Sequence, residues 1–547
     1  MTGLLQHLPI LPVAIPLFAG ALMLLLRDSQ RNFKGVVSLI SLAAQAACAI
    51  ALMLMSTGQL ESDWTAEIGV YLLGNWPAPF GIVVVADRLS TVMLLLTSLL
   101  GFACWIYATA RWERAGVHFD PLFQFLLMGL NGAFLTGDLF NLFVFFEVLL
   151  AASYGLILHG SGAARVSASM HYIAVNLVAS FLLLIAIALI YGVTGTLNMA
   201  DLSLKAGLLD GADRSLFEAA AAILGLAFLI KAAAWPLNFW LPAAYGNAAA
   251  PVAGVFAIMT KVGIYALLRI GTLLDFSVAP AAFGGGWMFP VGIATLVFGG
   301  IGMLATQQAE RLSGYAVIMS SGTMLAAFGM PGIVLTGPGL FYMSISILTM
   351  GAMFMLLEMV ERTQTFGADL LAISMEAFDL EDPESPDRSD DVVGVPMPAV
   401  MTFLGLSFFA CALLIIGLPP LSGFVAKFTM LSAALQAATS PTATLNAWIF
   451  IGAVLVSGLA GIIALCRTGI RLFWNVDETI IPKLRLNEAI PVAALLLTCT
   501  ALTFWAGPVM QYFDTTAKYL GDPSRYIEAV LQQTPTSPNT AVHGSGT

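Results

Sequence analysis

Apolar stretches long enough to cross a lipid bilayer recur along the whole chain, and they decide what it can fold into. A helix that spans a bilayer needs about 20 predominantly apolar residues. Fourteen stretches fit, at residues 8–26, 36–55, 89–109, 121–136, 139–158, 172–195, 216–235, 251–270, 286–306, 313–332, 338–359, 397–418, 447–466 and 488–508. Because backbone groups in lipid must bond within their own segment, these stretches predict helices. We therefore predict an all-α polytopic membrane protein.

The composition excludes the main soluble classes. Charged residues make up 10% of the chain and apolar residues 59%, and the mean hydropathy is +0.90. A soluble protein carries about 25% charged residues. The 22 basic residues are outnumbered by 32 acidic ones, so no basic field attracts nucleic acid. We expect a lipid bilayer as the surroundings and no nucleic-acid partner.

Cysteine and histidine give no sign of a metal or cofactor site. The five cysteines stand alone in apolar stretches, and the five histidines lack metal-ligand spacing. Zinc, iron–sulfur and haem motifs are therefore unsupported. We expect no cofactor and no metal, and a chain that is not itself an oxidoreductase.

Basic residues are distributed unevenly among the connections between spans. Of the 22 lysines and arginines, 13 fall in odd-numbered connections, 6 in even-numbered ones, span ends and the tail, and 3 within spans. Positive charge marks the cytoplasmic side. We predict a multi-pass protein of the inner or plasma membrane with both termini outside. Arg269 stands at a span end, where its side chain can reach the interface.

One cytoplasmic connection, residues 360–396, differs from the rest. It contains the acidic run EDPESPDRSDD at 381–391. A solvated loop is the simpler interpretation, since such composition does not form a core. A docking segment for a partner is the alternative.

Four charged residues lie deep within the predicted spans: Glu147, Lys231, Lys261 and Lys427. A charge at the bilayer centre costs about 2.5–3.5 kcal/mol on insertion scales, and such residues are functional by default. We interpret them as proton-transfer groups. The alternatives are a packing ion pair for Glu147, a lysine reaching the interface for Lys231, and structural hydrogen bonding for Lys261.

Prolines interrupt two of the predicted spans, each beside one of these lysines. The interrupting residues are Pro236 after Lys231, and Pro419, Pro420 and Gly423 before Lys427. Proline removes a helical hydrogen bond and breaks the helix. Broken spans at matching positions of two halves indicate inverted repeats. Chance placement of proline-rich turns is the alternative.

Smaller polar side chains offer a candidate cation site or polar relay. The candidates are Asp138, Asn141, Ser344, Ser346 and Thr349. Hard cations prefer oxygen ligands. Each hydroxyl taken singly is more typical of contact between helices, but together they can hold a file of water.

Several motifs resemble a known family: the antiporter-like subunits of respiratory complex I and the Mrp (Pha/Mnh) multisubunit monovalent cation/proton antiporters. The motifs are TGDLFNLFVFFEVLLAASY (136–154), KAAAWPLNFWLP (231–242), APVAG (250–254), TKVGIYALLR (260–269), AERLSGY (309–315) and GLPPLSGFVAKF (417–428). Within the family, the first of them looks like the D-type component of the Mrp antiporters.

The resemblance implies fourteen helices with two inverted five-helix repeats. The implied regions are 1–120 (three helices), 121–270 (first repeat, helices 4–8), 286–470 (second repeat, helices 9–13) and 488–547 (last helix and polar tail). It also implies roles for the buried charges. Glu147 and Lys231 are a coupled pair, Lys261 is the bridging lysine, and Lys427 gates the second half-channel.

The implied function is proton translocation within a multisubunit Na⁺/H⁺ or K⁺/H⁺ antiporter driven by the proton motive force. The implied partners are components of the A, B, C, E, F and G types. A proton-pumping component of complex I or of a membrane-bound hydrogenase is the alternative. A quinone-binding enzyme and a passive scaffold are weaker alternatives, because no polar headgroup cluster favours the first and four deep charges disfavour the second.

The eleventh span departs from the family pattern. Relatives often carry histidine and lysine there, near where this chain has Ile345 and Met350. A titratable step between Lys261 and Lys427 is therefore missing, and we expect water held by hydroxyl groups to bridge it.

Overall fold

The computed structural model describes residues 6–27, 30–61, 64–160, 162–278, 286–378, 399–473 and 484–535. Within these ranges the chain folds into nineteen α-helices, three short 3₁₀ helices and one two-stranded antiparallel sheet. The acidic run at 381–391, predicted as a cytoplasmic loop, lies outside the described residues, as does the tail from 536.

The elements are numbered here in chain order. The helices are α1 (Leu11–Leu25), α2 (Arg31–Ser56), α3 (Arg88–Ala110), α4 (Phe119–Leu135), α5 (Leu139–Ile157), α6 (Ala163–Thr194), α7 (Met199–Ala206), α8 (Gly211–Lys231), α9 (Leu241–Asn247), α10 (Ala250–Val278), α11 (Met288–Ala305), α12 (Ala309–Phe328), α13 (Thr336–Phe378), α14 (Ala399–Ile416), α15 (Ser422–Gln436), α16 (Pro441–Phe473), α17 (Leu486–Phe504), α18 (Ala506–Leu520) and α19 (Ser524–Leu531). The 3₁₀ helices are Leu8–Ile10, Leu73–Asn75 and Trp112–Arg114, and the strands are β1 (Gly69–Leu72) and β2 (Val83–Ala86).

Eleven helices of the described residues are long and apolar enough to cross a membrane. They are α1 with the 3₁₀ turn before it, α2, α3, α5, α6, α10, α11, α13, α14, α16 and α17. The prediction of an all-α multi-pass membrane protein is confirmed. The other three predicted spans coincide with α4, which is shorter, and with α8 and α12. The fourteen-helix count and the inverted repeats stay predictions.

Odd-numbered connections meet at one end of the helix bundle, which we call the odd end. There the Trp112 indole donates to Glu358 at 2.8 Å, and Arg165 donates to the carbonyl of Asn247 at 2.7 Å. These bonds join the third connection to the end of the eleventh predicted span, and the fifth connection to the seventh. Glu488, which is 1% exposed, is held there by arginines of the third and eleventh connections.

Even-numbered connections meet at the opposite end, the even end. Isolated β-bridges join Val84 to Thr136 and Asp138 to Asn198, so the second, fourth and sixth connections lie together. The cap of α5 is also here, because the Asp138 carboxylate accepts the backbone N–H of Asn141 at 2.9 Å. A side-chain oxygen at this position satisfies one of the free N–H groups of a helix start.

Arg269 stands toward the even end of α10, and its side chain is buried in an ion pair. Helix α10 continues to Val278, so this arginine stands inside the helix. Its guanidinium is 6% exposed and lies 2.7 Å from the carboxylate of Asp87, the residue that caps α3. The Tyr265 and Tyr526 rings lie beneath the guanidinium carbon at 5.7 and 5.2 Å. The ion pair joins α10 to the start of α3, and the Tyr526 ring adds a contact from α19.

Candidate functional site

The four deep charges stand on helices that pack against one another in succession. Glu147 is on α5, Lys231 is the last residue of α8, Lys261 is in the middle of α10, and Lys427 is near the start of α15. Helix α6 packs against both α5 and α8, α10 packs against α8, α12 and α13, and α13 packs against α12 and α15. The three lysines are 5%, 1% and 7% exposed.

The chain is interrupted directly after Lys231. Helix α8 ends there and α9 begins at Leu241, with Pro236 in the interruption. The ammonium group thus stands at a helix C-terminus, where the helix dipole favours a cation. Past the break, the backbone N–H of Trp235 donates to Thr295 on α11 at 2.9 Å, so this irregular backbone is held by a neighbouring helix.

The partners of Lys231 are neutral. Its Nζ donates to Ser180 Oγ of α6 at 3.3 Å and lies 5.3 Å from the centroid of the Phe146 ring. Glu147 acts on this lysine electrostatically, but within the described residues no ion pair of 4.0 Å or less joins the two. The pair implied by the family resemblance is therefore a neighbouring pair without direct contact.

The Glu147 carboxyl keeps an open hydrogen-bonding position. Its Oε1 atom is shielded from solvent and has no hydrogen-bond partner among the described residues. A carboxylate oxygen accepts hydrogen bonds, and a protonated one donates. A buried polar atom left open in this way is a position for a water molecule or a proton.

A glycine allows α10 to touch the end of α8. A Cβ atom at Gly263 would lie 2.8 Å from both the Phe228 carbonyl oxygen and the Ala232 nitrogen, which is closer than a side chain allows. The backbones of the two helices are therefore in contact where α8 ends at Lys231. Two residues before Gly263 on α10 stands Lys261.

Hydroxyl groups surround the ammonium of Lys261. Its Nζ donates to Ser320 Oγ at 2.7 Å and to Ser321 Oγ at 3.1 Å, both on α12. Across the described ranges no carboxylate oxygen lies within 4.0 Å of it. A serine hydroxyl both accepts and donates, so it can take a proton from the lysine and pass another on.

Lys427 caps the helix that precedes it. Its Nζ donates to the carbonyls of Ile415 at 3.0 Å and Ile416 at 2.7 Å, the last residues of α14, whose carbonyls have no partner within the helix. Gly417 then turns the chain with a φ of +80°, and a Cβ there would lie 2.5 Å from Lys427 Cδ. Only glycine fits this turn without strain.

The second interruption is shorter than predicted from sequence. Pro419 and Pro420 lie between α14 and α15, but Gly423 is the second residue of α15 rather than part of the break. It lies so close to the Leu414 carbonyl that a side chain would collide with it. The glycine serves close packing of α15 on α14.

The predicted cation or relay residues have different environments. Asp138 and Asn141 are engaged in the cap of α5, and the Asn141 amide also donates to Thr136 at 3.0 Å. Ser344 donates within its own helix to Leu340 at 3.0 Å. The Ser346 hydroxyl is buried without a partner in the part of the chain that the structure describes, and Thr349 lies 3.7 Å from Cys499 Sγ.

A polar cavity of about 380 Å³ opens at the odd end. Its wall includes Tyr245, Gly246 and Asn247 at the end of α9. Its charged lining residues are Arg165, Glu310, Arg311, Glu358 and Glu361. The cavity is roomy enough for many water molecules. It brings a polar environment to the odd end of the bundle, and α9 lies between it and the break after Lys231.

Sequence reasoning missed three residues that surround the lysines. Ser180 lies 51 positions from Lys231, and no spacing rule connects them. Ser321 is one of several serines in an apolar helix. Tyr342 did carry a signal, because it precedes Ser346 by four positions and so shares a helix face with it.

Comparison with known proteins identifies the family. The family described as "NADH:quinone oxidoreductase/Mrp antiporter, TM" matches residues 136–455. The D component of a "Probable K(+)/H(+) antiporter" of Rhizobium meliloti is 50% identical over 540 residues, covering 97% of this chain and 98% of that protein. The D component of a "Na(+)/H(+) antiporter" of Alkalihalophilus pseudofirmus is 33% identical over 97% of this chain and 100% of its own length.

A solved structure gives the same result for the fold. A chain of the Mrp complex from Dietzia sp. DQ12-45-1b superposes with a TM-score of 0.78 at 27% identity, covering 97% of this chain and 100% of that one. The family match spans more than half of the sequence, and two relatives match nearly all of it. The chain belongs to the transmembrane family of NADH:quinone oxidoreductase and Mrp antiporter subunits.

Proposed function

We propose that this chain is the proton-translocating component of a multisubunit monovalent cation/proton antiporter, exchanging K⁺ or Na⁺ for protons across the cell membrane. The single observation that carries the proposal is a set of three lysines, each at most 7% exposed. Within the described ranges, their nitrogen atoms donate hydrogen bonds only to hydroxyl and carbonyl oxygens. A lysine held by neutral groups can lose its proton without leaving a buried carboxylate unpaired.

In this proposal protons move stepwise through Glu147, Lys231, Lys261 and Lys427. Charges in a low-dielectric interior interact over longer distances than in water. A proton that arrives at one site therefore raises the free energy of the proton bound at the following site. That second proton is driven onward along the route. Water enters from the cavity at the odd end, which α9 separates from the first helix break, and the break leaves room beside Lys231.

The energy source in this proposal is the proton motive force, which supplies about 2.3 kcal/mol per charge per 100 mV. The partners are the other components of the antiporter complex, of the A, B, C, E, F and G types. The names of the relatives that match nearly the whole chain support an antiporter over a proton pump of complex I. The odd end faces the cytoplasm, in keeping with its excess of basic residues.

The proposal is tested with the complete complex in everted membrane vesicles from a strain that lacks other antiporters. Respiration acidifies the vesicles, and a fluorescent dye reports the pH gradient. Addition of KCl or NaCl should collapse the gradient, and choline chloride at the same ionic strength should not. A gradient that none of the salts affects would contradict the proposal.

A further inference from the structure

The eleventh predicted span, between Lys261 and Lys427 in the proposed route, carries neither histidine nor lysine. Near the positions where relatives often carry histidine and lysine, this chain has Ile345 and Met350. Their apolar side chains cannot carry a proton. The structure nevertheless places hydroxyl groups from two helices between the two lysines.

The first hydroxyl groups lie on α12. Ser320, which accepts from Lys261 Nζ at 2.7 Å, is fully buried, and Thr323 is 1% exposed. They are three positions apart, so they stand on one helix face about one turn apart. The polar groups that begin at Lys261 therefore continue along α12.

The next hydroxyl belongs to Tyr342 on α13. This side chain is 3% exposed, and its helix packs against α12, the helix that carries Thr323. The centroid of its ring lies 5.9 Å from Lys427 Nζ. Tyr342 thus stands on the helix that packs against both α12 and α15, with its ring beside the lysine of α15.

A second observation identifies a position for a water molecule in this region. Ser346 is one helical turn after Tyr342 on the same face of α13, and its hydroxyl oxygen is buried without a partner among the described residues. Buried polar atoms in folded proteins are satisfied by protein groups or by ordered water. A water molecule at Ser346 would extend the hydroxyl groups of the two helices.

We propose that Tyr342 is a proton-transfer residue of this protein, and that the hydroxyl groups of Ser320, Thr323 and Tyr342, with water at Ser346, link Lys261 to Lys427. The inference rests on the proton-translocating function proposed above. The proton leaves the Lys261 ammonium, and each hydroxyl oxygen accepts one proton while releasing its own. The proton arrives on the neutral amine of Lys427, and every hydroxyl regains its starting state.

The test removes one oxygen atom. In the assembled complex, Tyr342→Phe keeps the ring beside Lys427 but deletes the hydroxyl. A positioned proton-transfer group contributes about 10²–10⁴-fold to rate, and because water can partly fill the vacated place, we expect exchange to fall about tenfold. Tyr342→His, which restores a group able to accept and donate a proton, should recover part of the rate.

Controls separate the relay from folding and from the function itself. Tyr315→Phe removes a hydroxyl from a half-buried tyrosine of α12 that packs on Phe298 of α11, and it should exchange normally. Thr323→Val removes a second hydroxyl of the relay at constant size, and it should slow exchange even if Tyr342→Phe fails to assemble. The thermal unfolding temperature of each complex reports its integrity.

The outcomes are distinct. Wild-type exchange by either an assembled Tyr342→Phe or an assembled Thr323→Val complex, in vesicles where Glu147→Gln is inactive, would overturn the relay and leave the proposed function standing. A wild-type complex without cation-dependent proton movement would overturn the proposed function, and the relay with it. Slow exchange in both variants, with recovery in Tyr342→His and an unchanged unfolding temperature, would support the relay.

Discussion

Lys231 donates a hydrogen bond to Ser180 Oγ at 3.3 Å, although its electrostatic partner Glu147 stands nearby on α5. A neutral hydroxyl stabilises an ammonium less than a carboxylate does. This environment therefore tolerates both the charged and the neutral form of the lysine. A residue that passes protons must adopt both forms.

The first prediction distinguishes a proton carrier from a fixed charge. Lys231→Arg should abolish exchange nearly as completely as Lys231→Ala, because a guanidinium stays protonated in proteins. Cation-dependent proton movement in vesicles is the measurement. Lys205→Arg, in an exposed ion pair with Asp201, is the matched control and should be active. Normal exchange by Lys231→Arg would mean that the residue acts only through its charge.

The second prediction concerns the coupling between Glu147 and Lys231. Thermal stability of the purified complex is compared among Glu147→Gln, Lys231→Met and the double variant. Residues in contact couple by about 0.5–3 kcal/mol, and since these two interact without direct contact, we expect about 0.5 kcal/mol. The double variant should be more stable than additivity predicts, and inactive. Strictly additive changes in stability would show that the two charges do not interact.

A third prediction uses the ion pair at the even end. Asp87→Asn should lower the free energy of unfolding by about 3–5 kcal/mol, because it leaves the Arg269 guanidinium buried without its partner. Thermal unfolding of the complex measures this. Asp514→Asn changes an exposed carboxylate and should have little effect. Equal stability of Asp87→Asn and the wild type would contradict the structural role of the pair.

The same pair predicts an acid dependence. Burial raises the pKa of Asp87, but the charge and hydrogen bonds of Arg269, with the N–H of Ser90, outweigh it and hold the pKa below its usual value. The stabilisation is therefore complete above about pH 3.9, the usual pKa of an unfolded Asp, and is lost as pH falls through the lower folded value. The Asp87→Asn complex should lose this part of the acid sensitivity.

The fourth prediction is the membrane orientation. The distribution of basic residues predicts both termini outside and the odd end in the cytoplasm. Alkaline phosphatase fused after residue 535 should be active, and a cytoplasm-dependent fluorescent protein at the same place should be dark. The reverse pattern would invert the orientation and the direction of the proton route.

The sequence predicted the elements of this fold well, because each spanning segment is marked by its own apolar residues. It also identified Glu147, Lys231, Lys261 and Lys427, since a charge in an apolar stretch stands out without any knowledge of its neighbours. Local signals therefore predicted both the helices and the charges on them.

Contacts between distant segments were beyond sequence reasoning. The Ser180 hydroxyl near Lys231 and the Asp87 carboxylate near Arg269 come from other helices, 51 and 182 positions away. The end of α10 lies at Val278 rather than at the predicted residue 270, because helix boundaries are the least certain part of such a prediction. Gly423 was assigned to a break for its residue type, whereas its position serves close packing.

The measurement that tests the central claim most directly is cation-dependent proton movement in vesicles that contain the assembled Glu147→Gln complex. Glutamine keeps the size and hydrogen bonding of the side chain but cannot ionise. Glu218→Gln, an exposed carboxylate on α8 paired with Arg214, is the control and should exchange normally. We predict that Glu147→Gln inserts and assembles but shows no exchange, whereas exchange at the wild-type rate would contradict proton transfer through the deep charges.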